Sequence, residues 1–267
     1  MAYQNPAFMV SHPAGAIAIA DVTGTSATTS FSDASKRALI DSRQGEQASF
    51  TSTGADAGVE FDLLTTPTIN RWVIPAGHTM EGWSWILFSD DNSAFSSATN
   101  RFNIGSTHLT GAPVFDASFT EVTTERYWLF QRTQDTAETF TLGEFWIGEH
   151  VEVANADVQP SFSSEWVHHL NEDVIGGRDV AVELAPPRRR FTLSLRYVDP
   201  ADADFTILEE VIRLGRSTPF WYWTPDSTDT GPYLVKLSAA ATRRQESSAP
   251  QSGIFYQVDL TMIEQTT

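Results

Sequence analysis

The chain has 267 residues, 41% of them apolar, no cysteine and a net charge of −17. That length builds one large all-β domain or two ordinary ones, and the apolar content excludes general disorder. The lack of cysteine excludes a disulfide framework and thiolate sites, and the acidity excludes a basic grip on nucleic acid.

The first fifty residues are rich in Ser, Thr, Ala and Gly. Ile17-Ala18-Ile19-Ala20 reads as a short edge strand, and Ser32–Ser42 as one helical turn giving way to a loop around Gly45. Strands then follow closely. Gly58–Leu63 alternates apolar and polar residues, the period-two pattern of a half-buried strand. Ile69–Ile74 is a second, closed by the turn Pro75-Ala76-Gly77-His78. Glu81–Phe88 puts Trp83, Trp85 and Leu87 on alternate positions, and Ser89-Asp90-Asp91-Asn92 is a turn. Arg101–Ile104 and Pro113–Phe119 are shorter strands. Tyr127–Val153 reads as two strands facing each other across a polar turn, the second ending in Leu142-Gly143-Glu144-Phe145-Trp146-Ile147-Gly148.

After a linker over 154–160, a second unit begins. Phe162–Val167 is a strand, His168–Gly177 a polar connection and Asp179–Leu184 a strand broken by Pro186-Pro187. Arg190–Tyr197 alternates cleanly, with Phe191, Leu193, Leu195 and Tyr197 on one face. Ala201–Leu214 switches to helical spacing, with Asp199 as N-cap, Pro200 at the first position and Gly215 as the stop. Strands Pro219–Trp223, Tyr233–Ala239 and Ile254–Ile263 finish the chain, with a long polar connection over Ala240–Ser252.

The order of elements over Ala38–Val153 resembles the discoidin, or galactose-binding-like, jelly roll. The matching points are Val59–Leu63, Trp72-Val73-Ile74, the Trp85–Ser89 strand ending in Asp90-Asp91, and the closing pair Tyr127-Trp128-Leu129 and Leu142–Phe145. The resemblance implies sugar binding through loops at one end, by aromatics and Asp, Asn or Arg. The second unit, over Pro160–Glu264, resembles the tail-tube and distal-tail ring domain of tailed phages, on element order and Phe191–Tyr197. The expected fold class is therefore all-β: a jelly-roll sandwich over 1–153, a linker over 154–160, and a β-sandwich crossed by helix 201–214 over 161–267.

Few residues suggest chemistry. The histidines form no His-Glu-x-x-His pair, and no Gly-x-Ser-x-Gly elbow or P-loop occurs. His168-His169 are neighbours, which on a strand point to opposite faces. Asp90, Asp91 and Asn92 form a weak calcium candidate, the plain reading being a turn that satisfies its own backbone. Arg188-Arg189-Arg190, with Arg196, reads either as a subunit contact to carboxylates or as a solvated strand end. In Phe220-Trp221-Tyr222-Trp223 two rings face each way, so Trp221 and Trp223 belong either to a covered central strand or to a subunit contact.

No catalytic residue, metal or cofactor is assigned. The leading expectation is a non-enzymatic structural protein of a phage tail tip or baseplate. It would form a homo-oligomeric, hexameric ring that contacts other tail proteins. DNA would pass nearby without specific binding. The alternative is a carbohydrate-binding, receptor-recognising module. The resemblance implies a virion component assembled in the host cytoplasm. No apolar run approaches the roughly 18 residues of a membrane span, and Met1–Pro6 lacks the basic start of a signal peptide.

Overall fold

The computed structural model describes residues 4–10, 18–26, 28–29, 31–40, 47–54, 56–80, 83–105, 111, 114–133, 137–154, 160–175, 178–229, 231–246 and 255–265. Over 169–175 and 178–184 it describes the backbone alone. The strands in chain order are β1 (Ala7–Met9), β2 (Val22–Gly24), β3 (Thr28–Thr29), β4 (Ala48–Ser52), β5 (Gly58–Asp62), β6 (Ile69–Ile74) and β7 (Trp85–Asp90). Then come β8 (Thr99–Ile104), β9 (Phe115–Val122), β10 (Tyr127–Arg132), β11 (Thr139–Leu142), β12 (Trp146–Gly148) and β13 (Val151–Glu152). The remaining strands are β14 (Ser161–Ile175), β15 (Arg178–Val198), β16 (Phe220–Trp223), β17 (Tyr233–Leu237), β18 (Thr242–Glu246) and β19 (Phe255–Glu264). Two α-helices join them, α1 (Asp33–Ala38) and α2 (Ala203–Leu214). The expected all-β class is observed.

The chain divides into two compact units, Ser11–His150 and a second made of Met1–Val10 together with Val151–Thr266. The first ten residues therefore belong with the C-terminal unit, not with the jelly roll. β1 lies between β13 and β16, pairing Phe8 with Val151 and with Tyr222. Val153 N–H also donates to Pro6 O at 2.8 Å. The strands on either side of the jelly roll in sequence are thus hydrogen-bonded neighbours, and the jelly roll is an insertion between them. The linker expected at 154–160 falls mostly outside the described residues.

The jelly roll packs a five-stranded antiparallel sheet, β2-β5-β10-β7-β8, against two three-stranded sheets, β3-β4-β11 and β9-β6-β12. Alternation sends Val59 and Phe61, Trp85 and Leu87, and Trp128 and Phe130 inward. There Trp85 stacks on Phe130 at 4.5 Å and meets Phe140 of the opposite layer edge-on at 5.2 Å. Trp72 meets Phe130 at 5.0 Å from the other three-stranded sheet.

The expected pairing within Tyr127–Val153 is not what forms. β10 is a central strand, with β5 on one edge and β7 on the other. The chain beyond Arg132 must cross to the opposite layer, where β11 pairs with β4. The expected second strand breaks at 143–145 because Phe145 turns into the core, stacking on Phe61 at 4.8 Å. β12 then pairs with β6. Ile19–Asp21 is a 3-10 turn in place of an edge strand, closed by Ala18 N–H donating to Asp21 Oδ2 at 3.1 Å. Ser32–Ser42 holds the six-residue α1, capped by Ser32 Oγ accepting from Ser35 N–H.

The C-terminal unit is one sheet in the order β13-β1-β16-β17-β19-β15-β14, with β18 pairing on β19 beside β17. α2 buries Leu208 and Val211 in the same core as Leu193, Leu195, Val258 and Leu260, which contributes on the order of 2 kcal/mol per large apolar side chain. The helix starts later than expected. Asp199 closes a turn by accepting from Ala201 N–H at 2.8 Å, and Asp202 takes the N-cap position. Gly215, at φ 63, ends the helix as expected.

Two breaks inferred from sequence are absent. β14 runs through His168 to Ile175, and β15 runs through Pro186-Pro187. The register steps from Val167↔Arg188 to His169↔Ala185, so both prolines lie in a bulge where no ladder N–H is required. β19 pairs with β15 only over 190–198, so the prolines cost no hydrogen bond on that edge either. The polar connection Ala240–Ser252 contains β18.

Candidate functional site

A cluster of polar and aromatic residues lies at one end of the five-stranded jelly-roll sheet. β5 ends there at Asp62, β10 begins at Tyr127 and β7 ends at Asp90; Tyr127 pairs with Asp62 on one side and with Asp90 on the other. Because Phe61 and Trp128 point inward, Asp62 and Tyr127 point away from the core. Both are half-buried.

Arg126 completes the cluster. Its Nε donates to Asp62 Oδ1 at 2.5 Å and its Nη2 to Oδ2 at 2.7 Å, a bidentate charge-assisted pair. Its guanidinium carbon lies 5.1 Å from the Tyr127 ring centroid, within cation–π range. The Arg126 bonds hold the Asp62 carboxyl below the usual carboxylate range, and Asp62 holds the guanidinium above its own. Asp62 also accepts from Leu64 N–H at 2.8 Å. Leu64 is held at φ 61 with its side chain about half exposed. A bulky residue in the left-handed region costs about 1–2 kcal/mol, so this loop is shaped against its local preference.

A second pair flanks the first. Arg101 Nε donates to Ser89 Oγ at 2.6 Å and Arg101 Nη2 to Glu125 at 3.2 Å. The end of the sheet thus presents an aromatic ring, guanidinium groups and carboxylates in fixed positions. Such a set can donate and accept several hydrogen bonds at once beside an apolar ring face.

The calcium candidate is arranged as a turn. Asp90 is buried, with Oδ1 accepting from Asn92 N–H at 3.1 Å and Oδ2 from Ser97 N–H at 2.9 Å. The bond from Ser97 leads those that lower its pKa. Asp91 and Asn92 are exposed, and no group of three metal-ligating side chains forms among the described residues.

Two arginines of the run, Arg189 and Arg190, are engaged within their own unit. Arg189 donates to Asp229 and, at 2.7 Å, to Tyr233 Oη, and its guanidinium lies 4.9 Å from the ring centroids of both Trp166 and Tyr233. Arg190 pairs with Glu165 at 2.8 Å. Arg188 is half-buried and Arg196 exposed. Trp221 and Trp223 are buried, at 2% and 5% exposure, on a strand paired along both edges. Phe220 and Tyr222 enter the core shared with α2. The structure brings Asp62, Arg126 and Tyr127 together, a grouping that the sequence did not single out. The available signal was that one alternating strand ends in Asp62 as another begins in Arg126-Tyr127.

No protein-family model matches the chain, and no curated protein matches it. Solved structures do. The CBM32 of AlyQ in complex with 4,5-unsaturated mannuronic acid is 19% identical, over 49% of this chain and 95% of that one, with a TM-score of 0.36. CBM32-1 of a family 31 glycoside hydrolase from Clostridium perfringens is 14% identical, over 48% and 94%, with a TM-score of 0.38. The lectin domain of lectinolysin, complexed with Lewis B antigen, is 15% identical, over 52% and 96%, with a TM-score of 0.35.

Proposed function

We propose that the inserted jelly roll binds a glycan at the Asp62–Arg126–Tyr127 end of its five-stranded sheet. The observation that carries this reading is the half-buried Tyr127 fixed beside a bidentate Arg126–Asp62 pair. A sugar ring offers an apolar face for stacking and hydroxyls that both donate and accept. Tyr127 supplies the first contact, Arg126 donors and Asp62 an acceptor. Pre-pairing holds these groups in place, so little side-chain freedom is lost on binding. Such a site acts by binding, without covalent chemistry. The test is a glycan array followed by calorimetry. Tyr127→Ala is expected to weaken binding at least about tenfold, the loss of roughly 1.4 kcal/mol, with the fold unchanged by circular dichroism. Unchanged affinity would overturn the assignment of the site.

A structural role in a phage tail tip or baseplate is a second reading, favoured by a different observation. β14 is an edge strand whose outer edge has no partner among the described residues, and it carries Trp166 at 56% exposure. Exposed edges of this kind are templates for strand addition, and a head-to-tail contact through one closes into a ring when the rotation permits. Native mass spectrometry is expected to find a ring-sized oligomer. A protein that stays monomeric at high concentration would count against this reading and leave glycan binding untouched.

A further inference from the structure

The charge of the jelly roll and the pairing of its cations restrict the class of glycan. The unit Ser11–His150 carries 17 acidic against 7 basic residues, a net charge of −10. Most of the basic side chains are already committed. Arg71 pairs with Asp116 at 2.6 Å, Arg101 with Glu125 and Arg126 with Asp62. Arg132 is fully buried, its guanidinium 4.8 Å from the Trp83 ring centroid and 5.0 Å from that of Phe140. Lys36 and Arg37 lie on α1, which bonds to β4 of the opposite layer through Ser35 and Ser49. Arg43 falls outside the described residues.

At the site itself the balance stays negative, with Asp62, Asp90, Asp91 and Glu125 against Arg101 and Arg126. Binding a carboxylate or sulfate there would either displace one of these carboxylates from its arginine or leave the new anion beside them without a counter-charge. Burying an anion without a partner is unfavourable, and the surrounding field of a net-acidic unit opposes its approach. An uncharged hydroxyl needs no counter-charge, and an amine gains from the field.

We infer that the ligand is a non-acidic glycan, and that the site discriminates against uronate, sialylated and sulfated chains. This rests on the glycan-binding reading above. The test is a panel of matched pairs, each a neutral oligosaccharide and its sialylated, sulfated or oxidised derivative, titrated into the full-length protein. The acidic member is expected to bind at least about tenfold more weakly at low salt. The gap should narrow as ionic strength rises from about 0.02 M to about 0.5 M, because screening shortens the reach of the field. An acidic derivative that binds as tightly as its neutral parent would overturn the inference while leaving glycan binding intact. A panel in which no chain of any charge binds would instead overturn glycan binding, and the inference with it.

Discussion

Trp85→Ala is expected to destabilise the jelly roll by about 3–5 kcal/mol, the usual cost of removing a large aromatic from a packed core. Trp85 is fully buried, stacks on Phe130, and touches Phe50 and Phe140 of the facing layer edge-on. It is therefore a bridge between the two layers, and alanine leaves a cavity that neither sheet can close without moving. Trp85→Phe should cost much less. The indole N–H is buried with no hydrogen-bond partner among the described residues, so phenylalanine keeps most of the ring contact and loses a polar group that contributed nothing. Urea unfolding of the two variants beside the parent protein checks both values. A loss under about 1 kcal/mol for alanine would mean that Trp85 does not join the layers.

Gly58→Ala is expected to meet the tightest backbone clash of any glycine-to-alanine change among the described residues. A Cβ at this position would lie 2.3 Å from Phe130 O and 2.9 Å from Gln131 Cα. Both are backbone atoms of the neighbouring β10, so no side chain can rotate away. The strands must part where Gln131 pairs with Gly58, and Arg132 N–H would lose its bond to Ala57 O. Overpacking of this kind costs about 1–3 kcal/mol, and the rigid neighbours place Gly58 at the upper end. Because β10 carries Tyr127 at its other end, glycan affinity should fall together with thermal stability. Calorimetry on the variant would show this. An unchanged melting temperature would mean that β5 and β10 are not packed so closely.

The local patterns in the sequence were legible wherever one face of an element meets the core. Val59 and Phe61, Trp85 and Leu87, and Phe191, Leu193 and Leu195 alternate as their strands require, and all are buried. Partnership was less legible, because many strands adjacent in sequence lie in different layers of the jelly roll, among them β5 and β6, β6 and β7, β9 and β10, and β10 and β11. Tyr127–Arg132 and Thr139–Leu142 look like a hairpin only until both edges of β10 are seen to be taken by β5 and β7. Pro186-Pro187 looks like a strand break because proline cannot serve a ladder, yet in a bulge there is no ladder to serve. β1 was missed although Ala7-Phe8-Met9-Val10 is apolar throughout. A three-residue strand has little signal of its own, and its partners in β13 and β16 are far along the chain.

The candidate site was hidden for a similar reason. Asp62 and Arg126 are separated by 64 residues, and neither belongs to a motif. Each ends or precedes a strand whose alternation advertises its buried neighbours instead. The aromatic run Phe220–Trp223, conspicuous in sequence, is a buried central strand. Much of its aromatic density serves packing, while the Tyr127 ring, less prominent in sequence, is held half-buried beside paired charges.

The most direct test of glycan binding at this end of the jelly roll is a crystal structure of the protein with a neutral oligosaccharide selected from the array. The sugar is expected against the Tyr127 ring, with hydroxyls accepting from the Arg126 guanidinium and donating to the Asp62 carboxylate. A sugar bound instead at the opposite end of the sandwich, near Trp83, or on the C-terminal unit would contradict the proposed site.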